Sequence, residues 1–232
     1  MKTLLFETFD DNTLYYREDT HDYSMLCEVW KEKSYSNHFP FNHKSVIVDI
    51  GAHNGYFSVF ASKFSHPDSI IFSYEPVKEN FDILYQNIKA NNITNIHSEM
   101  KAVSTNKGFV TLYINQAHTG GHSLLKDRVE VYGKENVSMQ KIPCISFQNI
   151  ISNDINKIDF CKIDCEGAEY DILLNTHKEI ICKVDVYAIE FHEFGGHEVN
   201  ELVSFFEKNN YTVTYSFSPS KRGIRYGMLW AF

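Results

Sequence analysis

Val46-Ile-Val-Asp-Ile-Gly51-Ala-His-Asn-Gly55-Tyr-Phe57 reads as a strand, a sharp turn and the first turn of a helix. Val46–Ile50 is a continuous β-branched run, broken only by Asp49, as expected of a parallel strand buried on both faces. After Gly51 the apolar residues change period: Phe57, Phe60, Ala61 and Phe64 fall at helical spacing. Asp49 sits near the strand's C-terminal end, where open α/β sheets bind ligands. Gly51 and Gly55 are expected to let the chain bend and a ligand approach the backbone. The N–H groups opening the helix would suit a carboxylate.

The same alternation continues outward. Residues 70–75 (IIFSYE) form the next predicted strand and 77–92 an amphipathic helix with Phe81, Leu84, Tyr85 and Ile88 on one side. Strands are predicted at 96–99, 109–114, 137–144, 158–164 and 184–192, and helices at 146–153, 168–175 and 197–208. Alternating strands and helices imply right-handed crossovers and a parallel sheet covered on both faces. The last two strands, 211–217 and 226–232, are separated by the polar loop 218–225 without a helix. They must therefore run antiparallel. Residues 1–44 have no single period; LYYRED reads as a short strand and DYSMLCEVWKEK as a helix capped by Asp22 or Ser24. The chain thus divides into an N-terminal extension, 1–44, packed on a domain spanning 45–232.

Spacing selects the ligand. A dinucleotide turn needs three glycines, GxGxxG, to accommodate a pyrophosphate. Here the pattern is Asp-x-Gly-x-x-x-Gly, with His53 where the second glycine should be. A carboxylate beside the turn repels phosphate but suits an ammonium or sulfonium. S-adenosylmethionine carries both cations, a carboxylate and no phosphate. Glu75, at the end of the second strand, is placed to hold ribose hydroxyls. A turn that binds nothing and a nucleotide site are the competing readings.

The chain carries 22 basic and 30 acidic residues, a formal net charge of −8. A nucleic-acid partner is disfavoured, because tracking phosphates calls for a basic surface. No stretch approaches the roughly 20 apolar residues of a membrane span, and the N-terminus has no signal-peptide character. Five cysteines without CxxC spacing read as reduced, buried thiols, with Cys161 and Cys165 on one face of a strand; the expected compartment is cytoplasmic.

Three further stretches accompany the glycine turn: Tyr74-Glu75-Pro76 before the helix at Asn80-Phe81; Ile158-Asp-Phe-Cys-Lys-Ile-Asp-Cys-Glu-Gly-Ala-Glu169; and Tyr187-Ala-Ile-Glu-Phe-His192. Together they resemble the FkbM family of class I methyltransferases over roughly residues 45–193. The resemblance implies a Rossmann-like α/β fold, a mostly parallel seven-stranded sheet with an antiparallel last strand and helices on both faces. It also implies O-methylation of a sugar, glycan or other small hydroxyl compound. Carried over position by position, Asp49, Gly51, Asn54 and Gly55 would surround the methionine part of the cofactor, with Ala52, His53 and Phe57 also in the cofactor site. Glu75 and Pro76 would border the ribose, Lys101-Ala102-Val103 the adenine, and Asp164 and Glu166 would complete the site. His122, in Thr119-Gly-Gly-His-Ser123, departs from the family's usual serine-rich run.

For chemistry the chain offers Asp164 and Glu166 after one strand, and Glu190 and His192 two apart on the next. If those two strands are neighbours, as the resemblance implies, the four groups converge beside the cofactor, and such convergence marks function. His192 is the candidate general base, oriented by Asp164 or Glu190; backbone capping at a helix start is the plain alternative for Glu166. Asp164, Glu190 and His192 would also suit magnesium or manganese. Lys162 is expected to pair with a carboxylate. His192-Glu-Phe-Gly-Gly-His197 is one residue too long for a zincin motif. His122, Lys221, Arg222 and Arg225 are candidate acceptor-binding residues, with His118 beside them; a solvated turn explains the basic run equally well. A cofactor-binding module without activity, regulating a partner protein, is the reading from another class. A nicotinamide-dependent oxidoreductase is disfavoured by the glycine spacing.

Overall fold

The computed structural model describes residues 3–115, 118–131, 133–151, 155–219 and 223–232. The chain begins with a hairpin, β1 (Leu4–Phe9) and β2 (Asn12–Arg17), followed by α1 (Asp22–Trp30). Strand–helix alternation then runs β3 (Val46–Ile50), α2 (Tyr56–Phe64), β4 (Ile70–Tyr74), α3 (Lys78–Ala90) and β5 (Ile96–Glu99). The short strand β6 (Ala102–Ser104) leads to β7 (Gly108–Asn115), α4 (Lys126–Glu130), β8 (Val137–Ser146) and α5 (Phe147–Ile150). The alternation resumes with β9 (Ile158–Ile163), α6 (Glu169–Leu174), α7 (Lys178–Ile181), β10 (Val184–Glu193) and α8 (Val199–Lys208), and ends in β11 (Val213–Phe217) and β12 (Arg225–Ala231).

The main sheet has seven strands in the order β11-β12-β10-β9-β3-β4-β5. Strands β10, β9, β3, β4 and β5 are parallel, and β12 is antiparallel to both β10 and β11. The expected antiparallel last strand is present, inserted between β10 and β11 rather than at the edge. Gly227 makes that insertion sterically feasible: a Cβ there would lie 2.0 Å from the Ser216 carbonyl oxygen. Strands β6, β8 and β7 form a separate small sheet. Strands β1 and β6 were not anticipated from the sequence, because neither carries a usable alternation.

The order of strands places β3 and β9 at the centre, so the ends of β3, β9 and β10 share one rim. Both faces are filled. One core packs Phe147, Tyr170, Tyr187, Leu202 and Phe206 against the sheet, and the other packs Leu26, Trp30, Phe57 and Phe60. The second core joins α1 to the main sheet through Trp30, whose rings lie edge-on to Phe60. The N-terminal extension therefore completes one face of the core and does not hang from it.

Two local expectations change. His21 occupies the N-cap of α1, and Asp22 lies inside the first turn, fully buried, instead of capping it. All five cysteines are free, but only Cys144 and Cys161 are buried; Cys27 and Cys165 are half-buried and Cys182 is exposed. Strand β9 stops at Ile163, so Cys165 leaves the alternation shared with Cys161. Among the described residues no helix is long and apolar enough to cross a membrane.

Candidate active site

A cavity of about 600 Å³ opens at the C-terminal rim of β3, β4, β9 and β10. That size falls within the range of about 300–1,000 Å³ typical of small-molecule sites. One wall is the predicted cofactor surface: Gly51, Ala52, His53, Phe57, Glu75, Pro76, Ala102 and Val103 all line it. Across from them lie Asp164, Glu166, Glu190 and His192. The fold thus brings both predicted groups to one space.

The glycine turn owes its form to the protein's own packing. Gly51 and Gly55 have φ values of +74° and +77°. A Cβ on Gly51 would sit 1.8 Å from the Asp164 carbonyl oxygen, and one on Gly55 2.8 Å from Leu84 Cγ. The first glycine therefore seats β3 against the end of β9, and the second seats the turn on α3. The Gly51 and Ala52 N–H groups both donate to the Tyr74 carbonyl, so neither points at a ligand. Of the expected contacts, Asp49, Asn54 and Gly55 do not reach the cavity wall. Asp49 is fully buried behind it, accepting from Lys162 Nζ at 3.1 Å and from the Ser58 hydroxyl at 2.6 Å. Asn54 turns away, donating to Asp22 at 2.8 Å and accepting from Arg17 at 3.2 Å.

Glu75 does stand on the wall. Its carboxylate accepts from the His53 N–H at 2.8 Å and the Val77 N–H at 2.9 Å, which fixes it at the end of β4. Burial pushes it up to about 7, against those hydrogen bonds and the field of Lys162. Desolvation lowers His53 to about 3 and His122 to about 4. His122 lines the cavity and accepts the Asn115 N–H at 3.0 Å. His118 also reaches it, stacked on His21 with ring centroids 4.1 Å apart.

On the opposite wall, the partners differ from those expected. Neither Asp164 nor Glu190 orients His192. Its Nδ1 lies 3.3 Å from Glu169 and its Nε2 3.5 Å from Glu166. Burial favours the neutral ring, but these two carboxylates and Glu190 override it and push His192 up to about 10. A buried imidazolium engaged at both nitrogens is a poor proton acceptor, which weighs against the expected role as general base. Glu166 pairs with Arg128 as well. Glu169, the first residue of α6, accepts the N–H groups of Cys165 and Gly167 and so holds the turn before the helix.

Ligand atoms of Asp164, Glu169 and His192 lie within 4.8 Å of one another, a different set from the expected Asp164, Glu190 and His192. The chemistry of this set does not fit a divalent ion. Glu169 is spent on backbone N–H groups, and Glu166 and Glu169 are already balanced by Arg128 and His192.

Lys162 pairs with Asp49 as expected, and also lies 3.8 Å from Asp164. Its ammonium is buried, yet the two carboxylates raise its pKa despite desolvation. Arg225 does not line the cavity: it is exposed, paired with Glu193 at 3.1 Å and set over the Phe217 ring. Lys221 and Arg222 lie outside the described residues. The same loop still reaches the site through Ser218, Pro219 and Ile224.

Sequence spacing gave no sign of the residues that the N-terminal extension supplies. Tyr35 lies 3.1 Å from both Asp164 and Glu190. Asp22 gathers Arg17, Asn54 and Thr119 at 2.7–2.8 Å, joining the extension to the glycine turn and to the loop that carries His122. Burial would raise its pKa, but Arg17, His53 and Thr119 hold it well below the usual carboxylate range.

A family model described as the methyltransferase FkbM domain matches residues 49–213. "Methyltransferase 1" of Beauveria bassiana is 24% identical over 187 residues, covering 73% of each chain. Among solved structures, precorrin-6y C5,15-methyltransferase from Geobacter metallireducens is similar with a TM-score of 0.51 and 12% identity, over 87% of this chain and 86% of that one. TYW2 of M. jannaschii, solved in complex with AdoMet, gives 0.50 and 15% over 100% and 86%. At such identities the solved structures speak for the Rossmann-like methyltransferase fold alone. The family match covers most of the chain, running from Asp49 at the end of β3 past β10, with the cavity rim these strands build: the protein belongs to the FkbM family of S-adenosylmethionine-dependent methyltransferases.

Proposed function

We propose that the chain transfers a methyl group from S-adenosylmethionine to a hydroxyl oxygen of a sugar, glycan or other small molecule. One observation carries this reading: a carboxylate pair, Asp164 and Glu190, faces the same cavity as the wall formed by Gly51–His53 and Glu75. The wall suits a phosphate-free adenosyl ligand, with a carboxylate for the ribose and further carboxylates toward the cationic end. When bound, the cofactor supplies an electrophilic methyl group on sulfur. The chain's task is then to align an acceptor hydroxyl and to receive its proton. His122, Tyr226 and the loop residues Ser218–Pro219 border the remaining space, where an acceptor would lie. A pure binding module would have no need of Asp164 and Glu190 there.

Calorimetry tests the cofactor assignment. S-adenosylmethionine is expected to bind and NAD not to; the reverse result overturns the assignment. Glu75→Ala is expected to weaken binding about 100-fold, the loss of two charge-assisted hydrogen bonds. Ribose hydroxyls donate best to an ionised Glu75, and its pKa is raised to about 7. Affinity should therefore fall roughly tenfold between pH 8 and pH 6. Incubation with labelled methyl donor and a panel of sugars then tests O-methylation, which label on carbon or nitrogen would contradict.

A further inference from the structure

Tyr35 belongs to none of the motifs that located the site. It comes from the segment after α1, is buried to 4% exposure, and packs edge-on to Phe57 with the Lys162 ammonium 5.1 Å from its ring centre. Its hydroxyl lies 3.1 Å from Asp164 Oδ2 and 3.1 Å from Glu190 Oε2. A phenol has a single proton, so it donates to one carboxyl and can only accept from the other. Two ionised carboxylates would leave one facing an oxygen lone pair inside a low-dielectric cavity. The arrangement is satisfied when one of the two carboxyls is protonated.

The surroundings select which one. Lys162 Nζ lies 3.8 Å from Asp164 Oδ2, a cation on that side. Among the described residues Glu190 has no ion pair within 4.0 Å. Glu28 from α1 and Glu166 add negative field around it, while the neighbouring His192 is committed to Glu166 and Glu169.

We propose that Tyr35 is a positioning residue that bridges Asp164 and Glu190, so that the pair shares one proton, held on Glu190, and Asp164 stays ionised to take the acceptor's proton. The inference rests on the methyl-transfer reading. The oxygen–carbon bond forms, the carbon–sulfur bond breaks with its electron pair left on sulfur, and the hydroxyl proton passes to Asp164. Asp164 releases it to water through the cavity mouth, which returns the pair to one proton. The direction of the Glu190 pKa agrees: burial, then the charge of Asp164, push it well above the usual carboxylate range.

Infrared difference spectroscopy at pH 8 tests this without an acceptor. Wild type minus Glu190→Gln is expected to show the C=O band of a protonated carboxyl, and in wild type that band should shift on carbon-13 labelling of glutamate and not of aspartate. In Tyr35→Phe the Glu190 band should shift in frequency, because its hydrogen-bond acceptor is gone. Absence of the band in wild type, its assignment to Asp164, or an unshifted band in folded Tyr35→Phe overturns the proposal. The wild-type spectrum decides even where a variant fails to fold. Calorimetry with S-adenosylmethionine on the same samples separates the two readings. Binding without the band refutes the bridge alone, whereas the band without binding refutes the methyltransferase assignment.

Discussion

His192 shows how far a side chain's role depends on what surrounds it. Paired with Glu166 and Glu169, it has a folded pKa of about 10, above the value near 6.5 expected in an unfolded chain. A raised pKa means that its contribution to stability is full below about pH 6.5 and is lost as pH rises toward 10. Chemical denaturation at pH 6 and pH 9 should show this decline, and His192→Ala should flatten it. The variant is also expected to lose about 3–5 kcal/mol at pH 6, because Glu166 and Glu169 lose their buried partner. A variant as stable as wild type at pH 6 would restore His192 as a free candidate base. Gly51 makes the complementary point: its positive φ and the nearby Asp164 carbonyl oxygen leave no room for any side chain.

The most instructive element is the N-terminal hairpin. Strand β2 has no sheet partner beyond β1, and α3 supplies one with side chains. Asn91 accepts the Thr13 N–H at 2.8 Å and donates to the Thr13 carbonyl at 2.8 Å; Asn87, one turn earlier, accepts the Tyr15 N–H at 2.7 Å. Two amides four residues apart on a helix thus reproduce alternate rungs of a ladder. Through Asp22 the hairpin then reaches the glycine turn, and through the segment after α1 it sets Tyr35 beside Asp164. Asn91→Ala is expected to cost about 1 kcal/mol, the loss of two hydrogen bonds to half-buried backbone groups. Faster amide exchange confined to β2 would support this clamp, and unchanged protection there would refute it.

At the scale of the whole molecule the extension and the sheet share one core, so unfolding should be a single cooperative transition. A ligand that binds only the folded chain stabilises it by about 2.7 kcal/mol at 100 times its Kd. For a chain of this size that corresponds to a rise in Tm of about 5–10 °C. S-adenosylmethionine should produce that rise as one shifted transition. EDTA should change neither Tm nor cofactor binding, since the carboxylates around His192 are balanced by Arg128 and the imidazolium. A Tm lowered by EDTA would show a resident metal and overturn that account of the cluster.

The sequence by itself determined the architecture. Strand and helix periods are local properties, and a strand–turn–helix with Asp49, Gly51 and Gly55 has few ways to pack. The parallel sheet, its antiparallel last strand and the wall from Gly51 to Glu75 were legible for that reason, while the number of strands, seven, came from the family resemblance. So was the convergence of Asp164, Glu166, Glu190 and His192, because β9 and β10 are neighbours. Only the tertiary structure decided what each of these groups contacts. Whether His192 is a base or a cation depends on distances to Glu166 and Glu169, and Asp49 lies behind the wall because Lys162 reaches it from the adjacent strand. Tyr35 and Asp22 carried no spacing signal, since they come from a segment without a period and meet the site through contacts more than 90 residues apart in the chain. Burial and pairing set charge, and neither is written in the order of residues along a single strand.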